Sequence, residues 1–401
     1  MDWQATSAAL RPAIAPLPTS ATYDPGVERF DVLVVGAGPA GSATAIHLAR
    51  GGARVLLAEK ARFPRDKPCG GGLTGRALRA LPCPVDPVVE HVVDRFELRL
   101  RYGPRFERAG DEPMILMTQR KRLDAHLAEQ AAAAGADLRD DSRVDDLEAG
   151  ADGVEATVNG RGRSVRADVV VGADGANGIV AKAVGLGREI VRGVALEGNV
   201  SWGELEPDRY RGRAVVELGV VPGGYGWVFP KGDHANLGVG GWGSEGPRLR
   251  GHLERLAAAH GVSVDALSDV KGHRLPMRPL GTSPATGRVL LIGDAAGLVD
   301  PLSGDGIYEA FVSARLASEA ILAGRLDEYA IRLAETLDHH AAASWAAKRA
   351  MDRSASACFW AARCPGVFGV VAGLLAGEVR HPNEARGLAR PPLKLLARLA
   401  S

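Results

Sequence analysis

The sequence predicts an α/β fold: a mostly parallel sheet, interrupted by an antiparallel β layer and followed by C-terminal helices. Three observations carry this. Phe30 to Val35 is a short apolar strand, Ala40 to Arg50 has helical spacing, and Arg54 to Ala58 is a second strand, together opening a βαβ unit. Ala167 to Val171 and Val289 to Ile292 are unbroken apolar runs of the kind buried on both faces of a parallel sheet. Between them, Val194 to Trp242 alternates short strands with Gly-rich turns. The parallel domain is therefore expected to be discontinuous, over 29–100, 118–193 and 272–326, with a substrate-binding β-sheet domain at 101–117 and 194–271. Residues 1–28 are rich in Ala, Pro, Ser and Thr without an apolar core and read as a flexible leader, and 327–401 as a helical region.

The opening unit carries a nucleotide signature. Gly36-Ala37-Gly38-Pro39-Ala40-Gly41 follows a strand and opens a helix, and Glu59 ends the next strand about twenty residues on. In such a Rossmann-like unit the glycines permit a tight turn and let backbone approach a pyrophosphate. The helix N-terminus supplies free N–H groups, and Glu59 accepts from ribose hydroxyls. Arg120 to Ala134 has helical spacing through Leu123 and Leu127. Val289 to Asp294 is a strand ending in an acid, and Pro301-Leu302-Ser303-Gly304-Asp305-Gly306 leads into a helix near Ile307. This second helix N-terminus is expected to face a flavin ring. The amides of Gly304 to Ile307 would stabilise negative charge there, with Asp305 as the cap.

A flat aromatic wall stands in the antiparallel region. Tyr225, Trp227 and Phe229 lie at i, i+2 and i+4, so a strand projects all three from one face. Lys231-Gly232-Asp233-His234 reads as a turn and Leu237 to Gly241 as the returning strand. A two-residue turn centred on Gly232 and Asp233 sets Trp227 across from Gly238 and Tyr225 across from Gly240. The arrangement is either a slot for something long or flat, or a hairpin whose aromatics cover edge glycines.

With Gly172-Ala173-Asp174-Gly175, these segments resemble the flavoprotein superfamily of the para-hydroxybenzoate hydroxylase fold, over about Phe30 to Leu326. The resemblance implies an FAD-binding domain of that type with an inserted antiparallel substrate sheet. It places Asp294 at the flavin ribitol, the acid of the Asp-Gly pair against the flavin, and Arg120 on the phosphate side. Ala181, beside Lys182, departs from the arginine that many members carry after the Asp-Gly pair. Within the superfamily, Lys67-Pro68-Cys69-Gly70-Gly71-Gly72-Leu73 and the Tyr225-to-Gly240 element, with seven residues between Pro230 and Gly238, resemble the geranylgeranyl reductase family.

That family resemblance implies an FAD enzyme saturating isolated double bonds of geranylgeranyl diphosphate, a prenyl lipid or a menaquinone tail. The cofactor set expected is Gly36, Gly38, Ala40, Gly41, Glu59, Lys60, Cys69, Gly70, Arg120, Val144, Asp174, Gly175, Asp294, Gly304, Gly306 and Ile307. Cys69, Tyr225, Trp227 and Phe229 are expected on the reaction side, and no metal. An isolated alkene is a poor hydride acceptor, so a proton must reach one carbon as hydride reaches the other, in a slot that excludes water. Ring faces of Tyr225 and Trp227 stabilise carbocation character. A thiol is a weak acid for this purpose, so Cys69 is equally a relay or positioning group, or a small buried hydrophobe. The electron donor is ferredoxin or NAD(P)H. The first rival is a flavin-dependent monooxygenase or halogenase of the same fold. Halogenases carry a related Trp-x-Trp-x-Ile-Pro element, where this chain has Tyr225 and Phe229. A non-catalytic flavin or lipid carrier is a third reading.

Composition bounds the partners. The 401 residues are 46% hydrophobic and 24% charged with a net charge of +1, as in an ordinary globular protein without a basic field for nucleic acid. Cys69, Cys83, Cys358 and Cys364 form no CxxC pair, which suits a reducing cytoplasm. His234 and His273 receive no role. Cys358 to Gly377, interrupted by Arg363 and Pro365, is a lid over an apolar tunnel or a core helix. Arg380, Arg386, Arg390, Lys394 and Arg398, interleaved with leucines, rest on the inner face of an anionic membrane or pack as a terminal helix.

Overall fold

The computed structural model describes residues 27–110, 113–160, 164–364 and 366–368. Its first sheet is built on five parallel strands in the order Asp137–Arg139, Val55–Ala58, Glu28–Val35, Ser164–Gly172 and Val289–Leu291. Val32, Leu33 and Val34, with Val169, Val170 and Val171 beside them, are buried, which is why these runs lack polar alternation. The strand order reverses beside Glu28–Val35, and Val35 pairs with both Gly172 and Ala58. Gly36, Glu59 and Ala173 therefore emerge together at the carboxyl edge, the usual ligand crevice of such sheets. Helices Pro39–Arg50 and Ile307–Leu322 pack against each other, with Ser318 Oγ donating to Thr44 O across 3.4 Å.

The second sheet has seven strands in the order Ser268–Met277, Val191–Ser201, His234–Trp242, Tyr225–Pro230, Arg213–Leu218, Arg95–Leu100 and Arg105–Ala109. Two features differ from the sequence reading. Arg213–Leu218 and Arg95–Leu100 pair in parallel, so the layer is not wholly antiparallel. The expected domain boundaries also move, because backbone pairing rather than composition decides sheet membership. Arg95–Leu100, Val191–Gly193 and Gly272–Met277 all belong to this sheet, whereas Ile115–Met117 pairs with Gly72–Thr74 and His91–Val93 in a small third sheet. The aromatic hairpin keeps the register its turn requires: Tyr225 faces Gly240 and Trp227 faces Gly238.

One face of the second sheet packs on helix Leu249–Ala259 through Leu253 and Leu256. Its other face shares a core with Phe359 and Phe368. The long helix Glu328–Arg353 leads to the short helix Ala355–Ala362. Residues 1–26 of the expected leader, the expected lid at 365 and beyond Phe368, and the basic segment from Arg380 lie outside the described residues. Among the described residues no helix is long and apolar enough to cross a membrane.

Candidate active site

A cavity of about 1260 Å³ runs between the two sheets, larger than the ~300–1,000 Å³ usual for one small ligand. It has room for a dinucleotide and a second molecule. Every expected cofactor residue except Gly41 lines it, Val144 and Lys60 included. The three fingerprint glycines divide by role. Gly36 holds φ +99°, and a Cβ there would meet Ala173 O at 2.5 Å; at Gly41 a Cβ would meet Gly36 O at 1.8 Å. Both are demanded by the protein's own packing. Of the three, only Gly38 has room for a Cβ, whose nearest atoms would be the Nη2 atoms of Arg65 and Arg120, each at 3.7 Å.

Two guanidinium groups thus converge on the space before Gly38, at the N-terminus of a helix that has no side-chain cap. That combination suits a pyrophosphate. Arg120 is buried and held by Asp124 in a two-pronged ion pair of 2.6 and 2.8 Å, and Arg65 joins Asp124 at 2.7 Å and Glu59 at 3.2 Å. Burial opposes the charge on Arg120, but Asp124 outweighs it and raises the guanidinium above its ordinary value. Glu59 also accepts from the Ala37 and Ala61 N–H groups at 3.0 and 3.1 Å. Its carboxylate is fixed at the end of its strand, in reach of a ribose. Arg65 was not foreseen, since nothing in the Arg65 neighbourhood marks it before the chain folds back on Asp124.

Farther along the cavity, Asp294 meets Lys67 Nζ at 3.1 Å and His273 Nε2 at 3.5 Å. Burial alone would raise its carboxyl, but the Lys67 ammonium and His273 hold it well below the ordinary carboxylate range. His273, left without a role in the sequence, therefore faces the cavity as a partner of Asp294. Asp174 Oδ2 accepts the N–H groups of Ile179 and Val180 at 2.6 and 3.0 Å, while its buried Oδ1 has no partner. One oxygen caps the short helix Val180–Ala183, and the other packs over Gly178, where a Cβ would meet it at 2.1 Å.

The loop expected to offer free amides to a flavin is more self-contained than its sequence suggests. Gly304 N–H donates to Asp300 O at 2.9 Å, Asp305 N–H to Ser303 Oγ at 3.3 Å, and Ile307 N–H to Asp305 Oδ1 at 2.9 Å. Three of the four expected amides are consumed inside the turn. The residue at the cap position is Gly306, and Asp305, one residue earlier, reaches over it to accept the Ile307 N–H.

The aromatic wall is also corrected. The Trp227 ring fills the space over Gly238, where a Cβ would meet Cζ2 at 2.0 Å, so no slot opens between these two strands. Glycine admits the indole, and the cavity lies along the free side of the aromatic row. Trp227 is 7% exposed, and its indole N–H donates to Asn236 Oδ1 at 2.8 Å. Tyr225 donates to Ser303 O and so ties the wall to the Pro301-to-Gly306 loop. Phe229 rests against Gly70, where a Cβ would meet its ring at 3.0 Å.

Cys69 lines the cavity beneath this wall on a loop fixed from two sides. Its N–H donates to Glu197 Oε1 at 2.6 Å. Lys231, only 2% exposed, donates to Gly70 O and to Thr118 O, the latter at 2.7 Å. Burial pushes the Glu197 carboxyl up, partly offset by the Cys69 N–H and the Lys231 charge, and pushes the Lys231 ammonium down, partly offset by nearby negative charge including Glu197 and Glu90. Neither residue was foreseen. Lys231 read as a turn residue, and nothing local in Glu197 signals that its carboxylate meets a loop 128 residues away.

The FAD binding domain family model matches residues 29–226. The chain is 34% identical over 319 residues to the chloroplastic geranylgeranyl diphosphate reductase of Oryza sativa subsp. japonica, covering 75% of this chain and 68% of that one. It is 31% identical over 340 residues to the menaquinone reductase of Mycolicibacterium smegmatis, covering 80% and 83%. A geranylgeranyl bacteriochlorophyll reductase-like protein of Thermoplasma acidophilum shares the fold, with a TM-score of 0.77 at 24% identity over 93% of this chain and 100% of that one. The glycine cradle with its two guanidiniums and the carboxylate at the second strand's end account for FAD as the cofactor. Together with these matches, they establish that the chain belongs to the geranylgeranyl reductase family of FAD-dependent oxidoreductases.

Proposed function

We propose that the protein saturates isolated double bonds of an isoprenoid chain held in the apolar arm of its cavity. One observation carries this reading. Beyond the flavin-facing loop the cavity continues between Phe96, Leu98, Val216 and Leu218 of the second sheet and Ala343, Ala346, Ala347 and Met351 of the long helix. This arm is narrow-walled and apolar, suited to an extended hydrocarbon. The names of the matched reductases, which act on geranylgeranyl diphosphate and menaquinone, support the same class of substrate.

Bound FAD supplies the hydride. The chain's own residues hold the alkene and the proton. Tyr225, fixed by its bond to Ser303 O, and Phe229, seated on Gly70, form the wall against which the chain lies, with Trp227 behind them. Burial pushes the Tyr225 phenol well above its ordinary value, so its oxygen keeps its proton at neutral pH. The Cys69 thiol stands on the same side, with Gly71 N–H at 3.4 Å from Sγ, as the other local proton-bearing group. Water exclusion by the apolar arm protects the reduced cofactor from side reactions. In this reading the donor is ferredoxin or NAD(P)H, and a lipid substrate brings the protein to the cytoplasmic face of a membrane.

The test is anaerobic. Dithionite-reduced enzyme mixed under argon with geranylgeranyl diphosphate, or with menaquinone, should be reoxidised in a stopped-flow trace, with product heavier by two hydrogens per double bond. If every prenyl substrate leaves the flavin reduced, while air and an aromatic or terpenoid substrate give a product carrying one extra oxygen, the enzyme is a monooxygenase instead.

A further inference from the structure

Behind the flavin-facing loop lies a buried ionic cluster that the reaction described above does not use. Arg76, from helix Gly75–Ala80, is 6% exposed and stands among three carboxylates and a histidine. Its guanidinium lies 3.5 Å from Glu309 Oε1, 3.8 Å from Asp305 Oδ2 and 2.6 Å from His340 Nε2, and it stacks over the Tyr308 ring at 4.7 Å. His340 Nε2 is in turn 3.7 Å from Asp300 Oδ2. Ligand atoms of Asp300, Glu309 and His340 come within 4.8 Å of one another, but the guanidinium already stands between them, so the cluster's cation is the arginine.

The charges do not balance. One guanidinium faces three buried carboxylates, and Asp300 Oδ2, Asp305 Oδ2 and Glu309 Oε2 are all buried without a hydrogen-bond partner. Asp300 Oδ1 takes the Leu302 and Ser303 N–H groups and the Ser303 hydroxyl at 3.1, 2.7 and 2.8 Å, so this carboxylate organises the loop that lines the cofactor cavity. Burial would raise it, but Arg76 and these donors hold it below its ordinary value and keep it an anion. Asp305 accepts the Ile307 N–H, and His340, lowered by burial and by Arg76, accepts from the guanidinium as a neutral ring. Glu309 is left as the acid with the fewest donors. A separate cavity of about 30 Å³ abuts it, lined by Asp300, Glu309, His340, Asp338 and Arg278 and reaching the exposed Leu280. That volume exceeds the ~10–15 Å³ one water needs, and the five polar side chains offer it partners within walls otherwise formed by Leu298, Val299, Leu337 and Trp345.

We propose that Glu309 is a proton-exchange group for the flavin site, loaded through this small cavity when the bound FAD is reduced. Reduction places two electrons and one proton on the flavin and leaves net negative charge beside a loop whose underside is already acidic. A second proton, from solvent, neutralises the Glu309 carboxylate. The groups that face Glu309 are Arg76 from the short helix, Asp300 and Asp305 from the loop, Tyr308 beside it, His340 and Asp338 from the long helix, and Arg278. Burial, opposed by Arg76 and reinforced by Asp305 and Asp300, pushes the Glu309 carboxyl up to about 8. Below that pH it already holds its proton, and above it the proton is taken up only on reduction. This role needs bound FAD and is independent of the substrate.

The flavin midpoint potential, measured against redox dyes under argon from pH 6.5 to 9.5, reads this directly. Below about pH 8 one proton per two electrons gives a tenfold change in the equilibrium constant per pH unit, about 30 mV. Above it the wild type should change a hundredfold per unit, about 60 mV, while Glu309→Gln stays at the tenfold slope throughout. A single tenfold slope in the wild type, or the same break in Glu309→Gln, overturns the proposal. Should the variant fail to hold FAD, the wild type decides alone. Its reduced-minus-oxidised infrared difference spectrum at pH 9 should gain the carbonyl stretch of a protonated carboxylic acid, and absence of that band overturns the proposal.

Discussion

Gly38 and Gly41 sit in one motif and answer to different forces. Gly41 packs against Gly36 O, so its replacement strains the backbone whether or not a ligand is present. Gly38 faces the cavity, with two guanidiniums at 3.7 Å from any added Cβ. We expect Gly38→Val to be purified folded and colourless, its apoprotein within ~1 kcal/mol of wild type, because the isopropyl group occupies the pyrophosphate's place. Gly41→Ala should lose more than ~2 kcal/mol and most soluble yield, because a methyl group cannot share space with a carbonyl oxygen. Flavin absorbance per protein and the apoprotein melting temperature check both. A yellow, fully occupied Gly38→Val would remove the basis for this cofactor site.

At the scale of elements, the aromatic strand is more than a wall. Its last turn delivers Lys231 under the Cys69 loop, and its returning partner delivers Asn236 to Trp227. Lys231→Met should leave the carbonyls of Gly70 and Thr118 without their donor and lower stability by ~1–3 kcal/mol. FAD content should be largely retained, since Lys231 does not line the cavity. Chemical denaturation beside flavin absorbance tests this, and a variant as stable as wild type would show the clamp to be idle. The same strand shows what a sequence can and cannot disclose. Alternation and a two-residue turn fix hairpin register locally, so Trp227 opposite Gly238 was legible. The glycine cradle and the acids after apolar strands were legible too, because a dinucleotide requires a contiguous motif. The open slot was not legible, because register says which residues face each other and not whether an indole fills the gap. Glu197, Arg65 and Arg76 were invisible because their partners are set by tertiary folding. The parallel pairing of Arg95–Leu100 with Arg213–Leu218 joins strands more than a hundred residues apart and has no local signature.

At the scale of the whole molecule, acids of opposite character shape the pH dependence of the fold. Asp294, at the end of the first sheet, is held by Lys67 and by His273 of the second sheet, so this triad joins the two layers around the cavity. Its carboxyl is depressed in the folded chain, so its stabilisation is complete above the unfolded value of about 4 and is lost as pH falls through the folded one. Glu309 is the reverse case. Its carboxyl is raised to about 8, so the folded chain keeps a proton that the unfolded chain releases above about 4.3, and this stabilisation falls away as pH rises from about 4.3 and is gone above 8. By these two groups FAD-free protein should therefore melt highest at about pH 4, where both contributions are present. Asp294→Asn should flatten the acid limb while lowering the maximum, because Lys67 loses its counter-charge. Glu309→Gln should flatten the alkaline limb and leave the acid limb alone, since a neutral amide has no proton to surrender. Calorimetry of the apoprotein from pH 2 to 9 separates the two, and a wild-type melting temperature that keeps rising from pH 6 to 9 would show that Glu309 is ionised in the folded chain across that range.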